Sequence, residues 1–191
     1  MNKQTGLSCA AEKYLCTYEG ILIDMMLGMS GAKPTDSISE NFIVQMIPHH
    51  QAAIAMSRNI LRYTDNDELK RIAGGIISSQ TKSIENMRDI ACTCGRQINT
   101  RTELNRYQCK VNTIIQVMFS EMINAGSGNC MNCDFLREMI PHHMGAVRMS
   151  RNALDFDICP QLKPILTAIL VSQEEGIRQM RELLQKLDCK Q

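Results

Sequence analysis

The side chains in this sequence best suited to chemistry are its histidines and its sulfur-bearing residues. All four histidines fall in two doublets, His49-His50 and His142-His143, and each doublet follows the tripeptide Met-Ile-Pro. The chain of 191 residues also carries 14 methionines and 9 cysteines. Leucine, whose rotamers are better defined, is the ordinary choice where a core needs only bulk. Methionine at this frequency therefore points to sulfur wanted for itself.

On a helix, at about 100° per residue, Met46, His50, Ala53 and Ser57 stack along one face, and His49 and Met56 occupy the adjacent strip. Met46 reaches either histidine, at i+3 and i+4. Met139, His142, His143 and Met149 repeat the layout, with Gly145 and Ala146 where Ala52 and Ala53 stand. These small residues leave room for a neighbouring helix. Thioether and imidazole ligands suit a soft or borderline ion, and with no carboxylate among them they point to Cu(I). Methionine has no proton to lose, whereas histidine must be neutral to ligate. Such a site holds metal further into acid than an all-histidine one. A methionine stripe is more often plain core, but four histidines confined to two identical doublets are hard to explain as packing.

Comparison of the sequence with itself at an offset of 93 extends the match. Residues 42–61 lie over residues 135–154 with 12 of 20 positions identical. Tyr14 and Cys16 fall on Tyr107 and Cys109. Met25, Met29 and Met87 fall on Met118, Met122 and Met180, so ten methionines form five matched pairs. The expected organisation is two tandem repeats, 8–92 and 101–188, each of three helices, packed as one domain over 1–191. In the first repeat the helices run from about Ser8 to Ser30, from the capping-box spacing Ser37-Ile38-Ser39-Glu40 to about Tyr63, and on to about Ala91. A linker over 92–101 follows. With no alternating strand pattern, the fold class is all-α, a helical bundle. Pro48 and Pro141 then lie inside helices, where each removes a backbone hydrogen bond at a cost of about 3 kcal/mol or more. Two such losses, each just before His-His, point to a kink that aims the imidazoles.

Composition narrows the partners. There are 21 basic and 20 acidic residues, well mixed, so nucleic acid and anionic membranes are poor partners. The first apolar run, Ile21 to Met29, is broken by Asp24 and is far short of a membrane span. Met1 to Cys16 shows no apolar leader segment, so the chain reads as cytoplasmic, with its thiols reduced.

Cys92-Thr-Cys94 and Cys130-Met-Asn-Cys133 are close pairs that chelate Cu(I) or Zn(II), or form redox disulfides. Together they make a four-thiolate site if the fold joins them. Cys16 and Cys109 read as buried small residues or a symmetric pair, and Cys9, Cys159 and Cys189 carry no readable signal. No Glu-x-x-His motif is present, which argues against a di-iron oxidase; the nearest approach, Glu138 to His142, has Gln45 at the matching position. Ser57 and Ser150 lack the elbow motif of a hydrolytic nucleophile, so no catalysis is expected. The competing readings are a module whose Met-rich groove binds an apolar helix, and a cysteine-based zinc or thiol redox protein.

The pattern F-x3-M-I-P-H-H-x2-A-x2-M-S, present in both halves, resembles the family catalogued as domain of unknown function 305. The resemblance spans nearly the whole chain. It implies a ferritin-like helical bundle and copper binding through Met46, His49, His50, Met56, Met139, His142, His143 and Met149. Met25, Met29, Met118 and Met122 are second contributors from neighbouring helices, with Met87 and Met180 beyond them. The expected function is Cu(I) sequestration or transport, and the protein partners left open are a second copy of the chain and a copper-delivery protein.

Overall fold

Helices begin in this chain where a side chain can take up the free N–H groups of a first turn. Ser8 accepts from Ala11 N at 3.2 Å, Ser37 from Glu40 N at 3.3 Å, and Asn66 from Leu69 N at 2.8 Å. Thr100 accepts from Glu103 N at 3.3 Å while Glu103 takes the Thr100 N–H at 2.9 Å, a complete capping box. The computed structural model describes residues 6–189, so the expected domain of 1–191 reaches beyond them at both ends. Six helices follow: α1 (Cys9–Ser30), α2 (Ile38–Ile60), α3 (Asp67–Cys94), α4 (Arg101–Ile123), α5 (Met131–Leu154) and α6 (Leu162–Lys186). No strand occurs among the described residues, and the fold is all-α. No helix is long and apolar enough to cross a membrane.

Two boundaries differ from the sequence reading. α2 ends at Ile60, and the next three residues form turns. α3 runs on to Cys94, because the first helix-ending residue is Gly95, whose N–H closes on Ala91 O at 2.9 Å. Pro48 and Pro141 do lie mid-helix.

α2 and α5 form the centre of the bundle and pack on each other. α1 and α3 flank α2, α4 and α6 flank α5, and α3 packs on α6. α2 and α5 are accordingly buried over most of their circumference. Gly28 on α1 permits a close approach to α2, since a Cβ there would sit 2.8 Å from Pro48 Cβ. The core is one continuous cluster drawn from all six helices.

Polar ties join the two halves. Tyr14 Oη donates to Glu138 Oε2 at 2.6 Å, and Tyr18 Oη to Met122 O at 3.0 Å. In the linker, Asn99 accepts from Ile38 N at 3.0 Å and donates to Asp157 O at 2.8 Å. A disulfide, Cys94–Cys159, crosses at the same place, and a second joins Cys133 to Cys189. The expectation of a fully reduced set of thiols is therefore corrected. Spacing does not fix connectivity among nine cysteines, and both bridges join residues more than 50 apart in sequence.

Candidate metal centre

The mid-helix segments carrying the two doublets face each other where α2 meets α5, and all four imidazoles are at most 1% exposed. The rings of His49 and His142 stack, with centroids 3.7 Å apart and planes at 32°. Each donates its Nε2–H to the other's backbone carbonyl: His49 to His142 O at 3.2 Å, and His142 to His49 O at 3.0 Å. A carbonyl only accepts, so Nε2 holds the proton in both rings and the lone pair of each neutral ring lies on Nδ1. The Nδ1 atoms of His49, His50, His142 and His143 are all buried without a hydrogen-bond partner among the described residues.

Burial keeps these rings neutral. It pushes His50 down to about 3 and His142 to about 4, and holds His49 and His143 well below 6.5; repulsion from His142 adds to the effect for His49, His50 and His143. Four neutral imidazoles with unpartnered ring nitrogens are in the protonation state a metal requires.

The ten matched methionines, Met25, Met29, Met46, Met56, Met87, Met118, Met122, Met139, Met149 and Met180, are each at most 2% exposed. An exposed Met-rich groove for a partner helix is thereby excluded for these residues. Met118 from α4 presses its sulfur onto Gly145 of α5, one turn after His142, where any Cβ would collide with Sδ. A thioether from a neighbouring helix thus reaches the histidine-bearing helix. Met26, Met131 and Met144, unmatched at the offset of 93, are only half-buried.

Among the described residues, the only three or more His, Cys, Asp or Glu ligand atoms within 4.8 Å of one another are those of Cys130, Cys133 and Cys189. The imidazoles do not form such a group by themselves. Met46 and Met139 stand one helical turn before the two doublets, on the same helices and fully buried.

The cysteine pairs are not brought together as one four-thiolate site. Cys94 is oxidised with Cys159 while Cys92 is exposed, so Cys92-x-Cys94 offers no chelate. Cys133 is bonded to Cys189, and the exposed Cys130 thiol lies 2.7 Å from Cys133 Sγ. The physical reason is packing: Cys94 and Cys133 point into the core, while their near neighbours in sequence point to solvent. Cys16 and Cys109 are exposed free thiols, neither buried nor paired with each other. Ser57 and Ser150 are fully buried, out of reach of any hydrolytic substrate.

Three residues escaped the sequence reading. Ser83 Oγ lies 3.1 Å from His50 Nε2. Its counterpart 93 residues on is Gly176, where a Cβ would sit 2.9 Å from His143 Cδ2. His143 instead lines a cavity of about 200 Å³ between α3 and α6, with Ile72, Ser79, Gln173 and Gly176. Glu138, noted only as a failed di-iron ligand, is 1% exposed and bonded to Tyr14. Burial, reinforced by Asp134 and opposed by the Tyr14 hydrogen bond, raises its carboxyl to about 8. The mismatches Gln45/Glu138 and Ser83/Gly176 at the 93-residue offset were the available signal.

Residues 39–184 match the family described as Domain of unknown function (DUF305). No curated protein matches the chain. Among solved structures it is similar to a DUF305 fragment from Deinococcus radiodurans, with 21% identity, a TM-score of 0.58, and 81% of this chain and 99% of that one covered. It is also similar to CopM solved in a silver-bound form obtained by soaking, with 26% identity, a TM-score of 0.58, and 80% and 98% covered. CopM in a Cu(II)-bound form matches with 26% identity, a TM-score of 0.58, and 78% and 97% covered.

Proposed function

The chain belongs to the DUF305 family, and from that premise we propose that it binds Cu(I) between α2 and α5 and sequesters or hands on the ion without catalysis. The observation that carries the reading is the pair of buried Nδ1 lone pairs on His49 and His142, left free because each Nε2–H is taken by the other's backbone carbonyl. An unpartnered buried polar atom costs about 1–3 kcal/mol. A metal bond to Nδ1 removes that cost, and the Nε2–H bonds to backbone carbonyls fix the ring that presents it.

Cu(I) fits better than Zn(II) or iron on chemistry. The donors at hand are imidazole nitrogen and thioether sulfur, a soft set, and the imidazoles supply no three-nitrogen cluster. The similarity to CopM, solved in silver-bound and Cu(II)-bound forms, supports metal binding of this kind, and the choice of Cu(I) rests on the donor set. His49 and His142 are the central imidazoles, and His50 and His143 the outer ones. Met46, Met56, Met139 and Met149 supply sulfur from the same helices, and Met25, Met29, Met118 and Met122 from α1 and α4. Bound there, Cu(I) is shielded from water and oxidants, which suits storage or transfer.

The test is a Cu(I) titration against a competing chelator, with free thiols alkylated, on the wild type and on His49→Gln/His142→Gln. Glutamine keeps an N–H donor near the Nε2 position but has no Nδ1 lone pair. The variant should lose affinity by more than the roughly 10–100-fold that loss of a supporting partner costs. Unchanged affinity and stoichiometry would sink the proposal.

A further inference from the structure

Cys130, Cys133 and Cys189 converge at the start of α5, nine residues before His142 and so roughly 13 Å from it along the helix. We infer that, once the Cys133–Cys189 disulfide is reduced, these three sulfurs form a second Cu(I) site built from thiolates alone. The inference extends the function proposed above but does not depend on the Met/His centre binding metal.

The sulfurs lie within 4.8 Å of one another. Metal–thiolate bonds of about 2.3 Å place ligand sulfurs about 3.8–4 Å apart, so small side-chain rotations suffice. Cys130 and Cys133 are three apart at the helix start and share a face. Cys189 is held by more than its disulfide, because Arg137 donates to its backbone carbonyl at 2.9 Å. The third sulfur therefore stays at hand when the S–S bond is cut.

The matching positions in the first half show what has been replaced. There Ser37 caps α2 and Glu40 stands in its first turn. Cys130 and Cys133 occupy those places in α5, and Cys130 makes no side-chain cap. A sound helix start has been given up for two thiols. Three thiolates without a fourth ligand suit three-coordinate Cu(I) better than Zn(II), which takes four. The positive end of the α5 dipole offsets part of the negative charge of such a complex, while Arg137 is already paired with Asp134 at 3.8 Å.

The chemistry balances. Two thiol groups give two electrons and two protons to the Cys133–Cys189 bond and leave as their disulfide; alternatively a phosphine gives the two electrons and leaves as phosphine oxide, with one water supplying its oxygen and the two protons. Cu(I) then replaces the thiol protons of Cys130, Cys133 and Cys189, which pass to solvent.

The experiment counts Cu(I) bound by the full chain against a chromogenic chelator, first oxidised and then after phosphine reduction. With Cys92→Ser in every protein, so that opening Cys94–Cys159 leaves no Cys92-x-Cys94 chelate, reduction should add one equivalent, together with a near-ultraviolet thiolate-to-copper band. Cys130→Ser and Cys189→Ser should each lose that equivalent, while Cys16→Ser keeps it. Copper bound by the oxidised protein with its free thiols alkylated reports the Met/His centre separately and should be the same in the parent, Cys130→Ser and Cys16→Ser. Cys130 is exposed and outside the disulfide, so its variant leaves the fold intact. No added equivalent, its survival in either Cys130→Ser or Cys189→Ser, or displacement of Cu(I) by equimolar Zn(II) would overturn the inference.

Discussion

Where α2 meets α5, residues 93 apart do the same work in the two halves of the chain. His49 and His142 exchange hydrogen bonds with each other's carbonyls there, and against the flanking helices α1 and α4 Asn59 and Asn152 donate to Tyr14 O and Tyr107 O at 3.0 and 3.3 Å. Away from that meeting point the halves diverge. Tyr14 has Glu138 as acceptor, whereas Tyr107 Oη has no partner among the described residues and Gln45 replaces the acid. Ser83 stands over His50, while His143 opens past Gly176 into a cavity. Serine caps α2 and a cysteine cluster starts α5. The likeness is concentrated where ligand atoms must be buried and aimed, and the differences lie where protons, solvent and thiols have access.

The largest effect expected from the shared part is acid sensitivity of the metal-free protein. All four histidines have folded pKa values below 6.5, so the unfolded chain takes up protons that the folded chain refuses. Their stabilising contribution is complete above about pH 6.5 and is lost as pH falls toward about 4 and below. Each imidazole accounts for about 1.4 kcal/mol per pH unit in that window. Urea unfolding from pH 7 to pH 4 should show this steep loss, and His49→Gln and His142→Gln should relieve it equally. Unequal relief would break the equivalence of the halves, and a flat profile would deny the buried neutral imidazoles.

Glu138 belongs to one half only and titrates with the opposite sign. Its raised folded pKa, about 8, means that its contribution is present below the ordinary carboxylate value near 4.5 and is lost as pH rises through 8. Glu138→Gln, which copies Gln45, keeps an acceptor for Tyr14 and removes the charge. Between pH 6 and pH 8 the variant should gain about 3 kcal/mol relative to the wild type, at about 1.4 kcal/mol per pH unit. Parallel melting curves from pH 6 to pH 9 would contradict it.

The smallest effect concerns access. Ser83→Gly, which removes the partner of His50, should weaken Cu(I) binding and speed its removal by a chelator, and Gly176→Ser, whose Cβ presses on His143, should slow removal while also lowering affinity. Removal rates that change in the same direction in both variants would show that the cavity beside His143 is not the route.

Much of the fold is legible in the sequence because helix periodicity and caps act locally. Ser8, Ser37 and the proline positions define their helices correctly, and Gly95 rather than Cys92 ends α3. The histidine and methionine residues are found by their offset of 93, which fixes the helix face each occupies but not its partner across the bundle. The stacking of His49 on His142 and the placement of Met118 against Gly145 depend on how helices far apart in sequence pack. The cysteines are least legible. Cys159 and Cys189, which carry no local pattern, are the disulfide partners, while the conspicuous pair Cys92 and Cys94 is split between solvent and core.

The central claim, that imidazole Nδ1 and thioether sulfur share Cu(I) between α2 and α5, is tested most directly by copper X-ray absorption. The protein should be loaded with Cu(I) with its disulfides intact and its free thiols alkylated. The account predicts a mixed first shell of nitrogen and sulfur, with the nitrogen contribution lost in His49→Gln/His142→Gln. A shell of nitrogen and oxygen alone, or one of sulfur alone in the unaltered protein, would contradict it.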